Sequence, residues 1–264
     1  EIGTYPGTQL DNPYSLCTVD LCPVGALTSR DFRFKKRVWF LDSTERVCTG
    51  CARGCNLYAD HHEGQVYRQR PAPNPAINRW WACDEGRLSF HAYEEGRLTT
   101  PRLAGTEANE ADAAARAAEL LKDAALVDLA VSELLPLEDV YLALGFAKGH
   151  LEGRPVYVTR RPDGEGDEIL LRADKNPNGA GLRLLAQALG IELKPLSDLK
   201  AQAGRTLLAL CPEVPDTCPM ASLPAQGVQV VVTATFDSAL AKAAAVALPA
   251  ASPLERGGTH VNFE

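Results

Sequence analysis

Four cysteines carry the spacing that suggests chemistry. Cys48, Cys51 and Cys55 fall in the run Cys48-Thr49-Gly50-Cys51-Ala52-Arg53-Gly54-Cys55, and Cys83 follows, giving C-x2-C-x3-C-x27-C. Thiolates this closely spaced on a tight turn can point three sulfurs at one centre, while a distant fourth closes the site and pins two segments together. Gly50 and Gly54 suit such a turn, because backbone amides must approach the sulfurs and φ is free to be positive. Thiolate ligation selects zinc, copper or an iron–sulfur cluster. Four Cys is the usual ligand set of a [4Fe–4S] cluster. Structural zinc sites commonly use two separated Cys pairs, whereas the split here is three plus one; the spacing favours iron–sulfur, with zinc as the alternative metal. Four unrelated buried thiols is the plainer alternative, and turn spacing weighs against it.

The other cysteines divide differently. Cys22-Pro23 is a second signal, because bacterial ferredoxins pair a C-x2-C-x2-C run with a later Cys-Pro whose thiolate belongs to the other grouping. No such run precedes Cys22 in this chain. Cys22 is therefore either an inert thiol or a ligand whose three partners lie upstream. The chain opens on Glu1 rather than Met and is expected to be a piece of something longer. Cys17 is expected to be a free buried thiol, and Cys211 and Cys218 to be non-ligating cysteines on a strand end and a loop. Arg53 and Arg87 stand close in sequence to the ligands and would favour a reduced cluster, or else are surface arginines. Trp80 and Trp81 either shield the site or, more simply, form the core of a small domain. His61-His62 is expected at a surface turn, since neighbours in a strand face opposite ways and cannot chelate together. Asp11 and Asp20 are isolated, and no Ser stands in G-x-S-x-G, so no hydrolytic machinery is visible.

Composition bounds the function. With 27 basic and 34 acidic residues the 264-residue chain carries a net charge of −7, without the cationic footprint of a general nucleic-acid binder. No apolar run reaches the length of about 18 residues that spans a bilayer, and no secretion signal opens the chain.

The elements that must position the cysteines differ between the two parts of the chain. Up to about residue 101 the punctuation is Pro and Gly, and all three Trp lie here. A small, loop-rich domain is predicted, with residues 37–41 β-prone and a hairpin of 56–60 with 65–70 around Glu63-Gly64. Metal ligation would be what holds so little regular structure together. From about residue 107 the pattern is Ala- and Leu-rich α/β. Helices are expected over 107–125, 137–149, 179–189 and 238–245, and strands over 126–131, 155–159, 206–210 and 228–235. Strands apolar on both faces and alternating with helices predict a doubly wound, mostly parallel sheet. No G-x-G-x-x-G phosphate loop follows any predicted strand.

These residues together resemble a family: the large iron–sulfur subunit of bacterial respiratory complex I, NADH:quinone oxidoreductase, related to the molybdopterin oxidoreductases. The resemblance is carried by Thr18-Val19-Asp20-Leu21-Cys22-Pro23-Val24-Gly25-Ala26-Leu27-Thr28, Asp31-Phe32-Arg33-Phe34, Arg37-Val38-Trp39, the C-x2-C-x3-C run and Cys83-Asp84-Glu85-Gly86-Arg87. More loosely it is carried by Asp174-Lys175-Asn176-Pro177-Asn178, Ala247-Leu248-Pro249-Ala250-Ala251 and Glu255-Arg256-Gly257-Gly258-Thr259. It implies that Cys48, Cys51, Cys55 and Cys83 ligate an additional, off-path [4Fe–4S] cluster. It also implies that Cys22 closes another cluster whose remaining ligands lie in an N-terminal ferredoxin-like part absent here. The domains expected are the tail of that part over 1–34, a four-cysteine [4Fe–4S] domain over 35–105, and a degenerate α/β molybdopterin-type domain over 106–264 that takes no molybdopterin. The function implied is electron transfer and scaffolding in the peripheral arm, within an oxidoreductase complex, with no substrate chemistry in this piece alone. Its partners would be flavin-bearing and other iron–sulfur subunits, without nucleic acid or direct membrane insertion. Its place would be cytoplasmic, at the inner face of the cell membrane. A structural zinc module and a molybdopterin-enzyme remnant are the competing readings.

Overall fold

Residues 3–151, 153–210 and 219–261 are described by a computed structural model. They fall into two units, Glu1–Ala92 with Asp163–Lys175, and Tyr93–Pro162 with Asn176–Glu264. Cys211 and Cys218 lie outside the described residues.

In the second unit apolar side chains alternate across a sheet that is covered on both faces. Its strands are β4 (Arg102–Leu103), β5 (Thr106–Glu107), β6 (Val127–Ser132), β7 (Val156–Thr159), β8 (Leu193–Pro195), β9 (Thr206–Leu210), β10 (Gln229–Ala234) and β11 (Val246–Pro249). They stand in the order β5-β4-β11-β10-β9-β6-β7-β8, parallel from β11 to β8, with β4 and β5 an antiparallel edge. Val127, Leu129 and Val131 pack with Val140, Leu144 and Leu182 on one face, which carries α4 (Leu137–His150) and α5 (Gly179–Leu189). Ala130, Leu207, Ala209, Val230 and Val232 pack on the other face with Leu240 of α6 (Ala239–Ala243). This is the mostly parallel α/β sheet the apolar runs predict. The six parallel strands follow the order in which a chain winds outward from the middle of a sheet in both directions.

The helix expected over 107–125 is shorter. It runs as α3 (Glu110–Leu120), capped by the Asn109 side chain accepting the Asp112 N–H at 2.8 Å. Thr106 and Glu107 are taken instead by pairing with β4, across a turn where Ala104 and Gly105 are left-handed. Local helix propensity loses there to a hairpin that finishes the sheet edge.

In the first unit a three-stranded antiparallel sheet, β1 (Asp42–Val47), β2 (Asn56–His62) and β3 (Gln65–Pro71), is joined by α1 (Ser15–Leu21) and α2 (Asp84–Leu88). The β2–β3 hairpin turns at Glu63 and Gly64, both left-handed, the geometry that matches strand twist. His61 and His62 are not in the turn but end β2. They pair there with β3, and the His61 ring meets the Thr44 hydroxyl across β1 at 2.9 Å. Residues 37–41 form no strand. Val38–Phe40 is a single 3₁₀ turn with Trp39 71% exposed, because β-prone side chains need a neighbouring strand and none pairs here. At the sheet's centre the buried carboxylate of Asp60 accepts from Arg68 at 2.6 Å, from Arg70 at 2.8 and 3.0 Å, and from Ser43, tying β1 and β3 to β2. Burial would raise its pKa, but the hydrogen bonds from Arg70, Ser43 and Arg68 outweigh that and hold it below the ordinary value.

In the second unit, Arg97 grips Glu255 through two contacts, at 2.7 and 3.2 Å. That hydrogen-bonded guanidinium lowers the Glu255 carboxyl from 4.5 to about 2. A depressed carboxylate contributes its stability fully above the unfolded value and loses it as pH falls through the folded one. The melting-temperature gap between wild type and Glu255→Gln should therefore be constant above about pH 4.5 and close as pH falls towards about 2. A gap that persists unchanged across that window would show that the pair is not its source.

Candidate metal centre

The three clustered cysteines sit in the connection between β1 and β2, and a hydrogen bond closes that connection on itself. Cys48 N–H donates to the Cys55 carbonyl at 2.7 Å, directly beyond the last strand pair, Val47 with Asn56. The intervening loop must therefore turn tightly. Gly54 does so in the left-handed region, where a Cβ is strained. Cys83 arrives from the other side as the N-cap of α2, its sulfur accepting the Gly86 N–H at 3.3 Å. The Gly50 N–H approaches Cys48 Sγ at 3.4 Å in the same manner. Both glycines supply amides to sulfur.

A Cβ placed on Gly86 would lie 2.9 Å from Cys48 Sγ and 3.3 Å from Cys83 Sγ. The two sulfurs are thus no farther apart than the sum of those distances, so the distant cysteine meets the triplet. Cys48 and Cys55 pack in one apolar cluster with Leu57, Ala82 and Leu170, and Cys51 and Cys83 in another with Leu171, with Tyr14 against both. All four are at most 7% exposed. Burial pushes up the pKa of Cys48, Cys55 and Cys83, the last to about 12. The neighbouring thiols raise Cys55 further, and all three of its partners contribute. The dry surroundings of Cys48, Cys55 and Cys83 disfavour their ionised forms. Among the described residues no group of three or more His, Cys, Asp and Glu side chains is arranged to hold a single metal ion.

The remaining predicted positions fall as follows. Cys17 is buried, its sulfur 3.3 Å from the Ala82 carbonyl, as a free thiol should be. Cys22 stands apart from the four. It lines a cavity of about 290 Å³ together with Asp20 and Arg87, and the amides of Leu27, Val24, Ala26 and Gly25 lower its pKa. Arg87 is not a surface residue, and Asp20 is not isolated. Arg87 is buried, donates to both Asp20 oxygens at 2.6 and 3.0 Å, and is held on β3 through Gln69. Arg53 donates to the Ile77 carbonyl at 2.8 Å. Trp80 and Trp81 neither shield the site nor form a core, being 64% and 37% exposed. Asn78 organises this stretch instead. It is buried and joins Asn56, Ala72 and Trp81 by hydrogen bonds, fixing the segment that leads to Cys83. Asn78, Tyr14, Leu170 and Leu171 carry no local signal in the sequence.

No protein-family model matches the chain. It is 36% identical over 159 residues to the G subunit of the NADH-quinone oxidoreductase of Streptomyces coelicolor, covering 58% of this chain and 19% of that protein. Over that stretch the chain is similar to the NADH-quinone oxidoreductase G subunit. The NADH-quinone oxidoreductase subunit 3 of Thermus thermophilus is 36% identical over 103 residues, covering 38% of this chain and 13% of that protein. The NADH-ubiquinone oxidoreductase 75 kDa subunit of Reclinomonas americana is 29% identical over 192 residues, covering 67% and 28%. The chain thus spans at most 28% of the length of these curated relatives. All three are subunits of an oxidoreductase complex. No helix among the described residues is long and apolar enough to cross a membrane.

The crowding at Gly86 can be measured. Gly86→Ala must displace Cys48 or Cys83 and should cost ~1–3 kcal/mol in denaturant unfolding, as overpacking of a filled core does. Gly50→Ala meets Cys48 Sγ only at 3.5 Å and should cost less. Equal costs would contradict this packing.

Proposed function

We propose that Cys48, Cys51, Cys55 and Cys83 hold a [4Fe–4S] cluster, and that this chain is an electron-transfer and scaffolding part of the peripheral arm of NADH:quinone oxidoreductase. The observation that carries the reading is the meeting of the Cys48 and Cys83 sulfurs at Gly86, with Cys51 and Cys55 buried in the same two apolar clusters, in a chain similar to the G subunit of that complex. The donor set fits the group: four Cys and amides aimed at sulfur are what such a centre takes. Cys48, Cys51, Cys55 and Cys83 would each supply it one thiolate. Bound there, the cluster supplies one-electron transfer with no bond made in a substrate.

The chain's own residues do the tuning. Gly50 and Gly86 direct N–H groups at Cys48 and Cys83, which stabilises negative charge on sulfur. The apolar wall of Leu57, Ala82, Leu170 and Leu171 opposes that by keeping water away. Cys22, whose pKa the neighbouring backbone lowers, would serve a second cluster whose other ligands lie upstream.

In this reading residues 1–34 are the tail of a ferredoxin-like part, 35–105 carry the four-cysteine domain, whose compact unit ends at residue 92 and takes in 163–175, and 106–264 carry a degenerate molybdopterin-type domain that takes no such cofactor. The winding order of the parallel strands supports the last assignment at the level of fold. Flavin-bearing and other iron–sulfur subunits of the respiratory complex are the partners proposed. They would place the chain peripherally, at the cytoplasmic face of the membrane.

Anaerobic purification should give brown protein with iron and labile sulfide near four of each per chain, the content of one such cluster. Cys51→Ala should bleach it while leaving the α/β unit folded by circular dichroism. Zinc in a colourless protein, or unchanged iron in Cys51→Ala, would overturn the assignment.

A further inference from the structure

The segment Asp163–Lys175 separates β7 from α5, yet it belongs to the four-cysteine unit. It is irregular throughout, and two consecutive leucines at its tip are buried, Leu170 at 5% and Leu171 at 8% exposure. Leu170 packs with Cys48 and Cys55, and Leu171 with Cys51 and Cys83. Between them the pair belongs to both apolar clusters that hold the four cysteines.

The tip is shaped by one carboxylate. Asp167 Oδ1 accepts the amides of Ile169, Leu170 and Leu171 at 2.8–2.9 Å, and Oδ2 accepts the Tyr14 hydroxyl at 2.6 Å. The Tyr14 hydroxyl accepts the Leu171 amide in turn at 3.1 Å, while the Tyr14 ring lies against both cysteine clusters. Farther along, the Asp174 carbonyl accepts the Ala52 amide at 2.8 Å, inside the cysteine loop itself, and Lys175 reaches Glu85 at 3.2 Å. An excursion that joins no sheet would not be held by so many bonds to residues flanking the cysteines unless its position mattered to them.

We propose that residues 163–175 are a seal over the four-cysteine centre, with Leu170 and Leu171 excluding water and with Asp167 and Tyr14 as the positioning residues that hold the seal shut. The consequence for the cluster rests on the function proposed above. An added electron makes a thiolate-held centre more negative, and water stabilises that extra charge, so a closed seal keeps the midpoint potential low. Loosening it should move the potential to a more positive value. It should also open a route to the thiols that does not require the unit to unfold.

The test uses the full chain as wild type, Leu171→Ser, Asp167→Ala and Tyr14→Phe, with Leu184→Ser, on an exposed position of α5, as the control. Tyr14→Phe removes the hydroxyl and keeps the ring, so it decides the matter if either of the other seal variants fails to fold. Native-state alkylation of the metal-free thiols should be about tenfold faster in the seal variants, the factor by which loss of one hydrogen bond of about 1.4 kcal/mol raises the population of a locally open form. The control should label as wild type does. In iron-loaded protein the same variants should lose iron faster to a chelator, and their midpoint potential should move positive. Labelling rates equal to wild type in every folded seal variant would overturn the seal. Faster labelling in protein that binds no iron would uphold the seal and refute the cluster. Faster labelling with an unmoved potential in loaded protein would refute the claim that the seal sets the potential.

Discussion

Everything in the first unit answers to the need to bury four thiols where backbone amides can still reach them. A sulfur that is to be a ligand cannot simply be placed in a core. It must be near its fellows, which repel it once ionised, and near N–H groups, which stabilise it. The Cys48–Cys55 hydrogen bond meets the first condition by folding the loop back at the mouth of the β1–β2 hairpin. Gly50 and Gly86 meet the second, since neither has a side chain between its amide and sulfur.

The cost of that arrangement is that this unit has little ordinary core, and polar bonds take over the work of apolar packing. Asp60 gathers Ser43, Arg68 and Arg70 across three strands. Asn78 joins three stretches of backbone. Arg87, buried by its contact with β3, extends a guanidinium to Asp20 and so ties α2, which Cys83 caps, to α1, which leads to Cys22. Buried groups of this kind are tolerable only when their partners are present. The organisation of the cysteine site is therefore distributed over residues far from it in sequence. The second unit follows the opposite logic: its strands are apolar on both faces, and helices cover them.

How far the sequence could be read depended on which logic applied. The strands over 127–132 and 206–210 and the helices over 137–150 and 179–189 are visible because burial on both faces leaves continuous apolar runs, and helical periodicity is local. The hairpin at Glu63-Gly64 is visible because only certain residues turn that way. Val38, Trp39 and Phe40 misled because propensity for a strand says nothing about whether a partner strand exists. Trp80 and Trp81 misled because size and apolarity do not by themselves secure burial. The edge strands β4, β5 and β8 escaped notice, being only two or three residues long and defined by their neighbours.

The sequence alone determined the identity and spacing of the four cysteines, the glycines beside them and the alternation of the α/β part, all of which are properties of neighbours along the chain. Only the tertiary structure decided that the Cys83 sulfur meets that of Cys48 at Gly86, that Arg87 is buried against Asp20, and that Leu170 and Leu171 pack in the clusters that hold the cysteines. Those contacts join residues separated by tens to more than a hundred positions, and closing such long loops leaves no trace in local pattern. Their reason is physical rather than local: a thiol cluster must be dried from every side, and the chain supplies that cover from wherever it can reach.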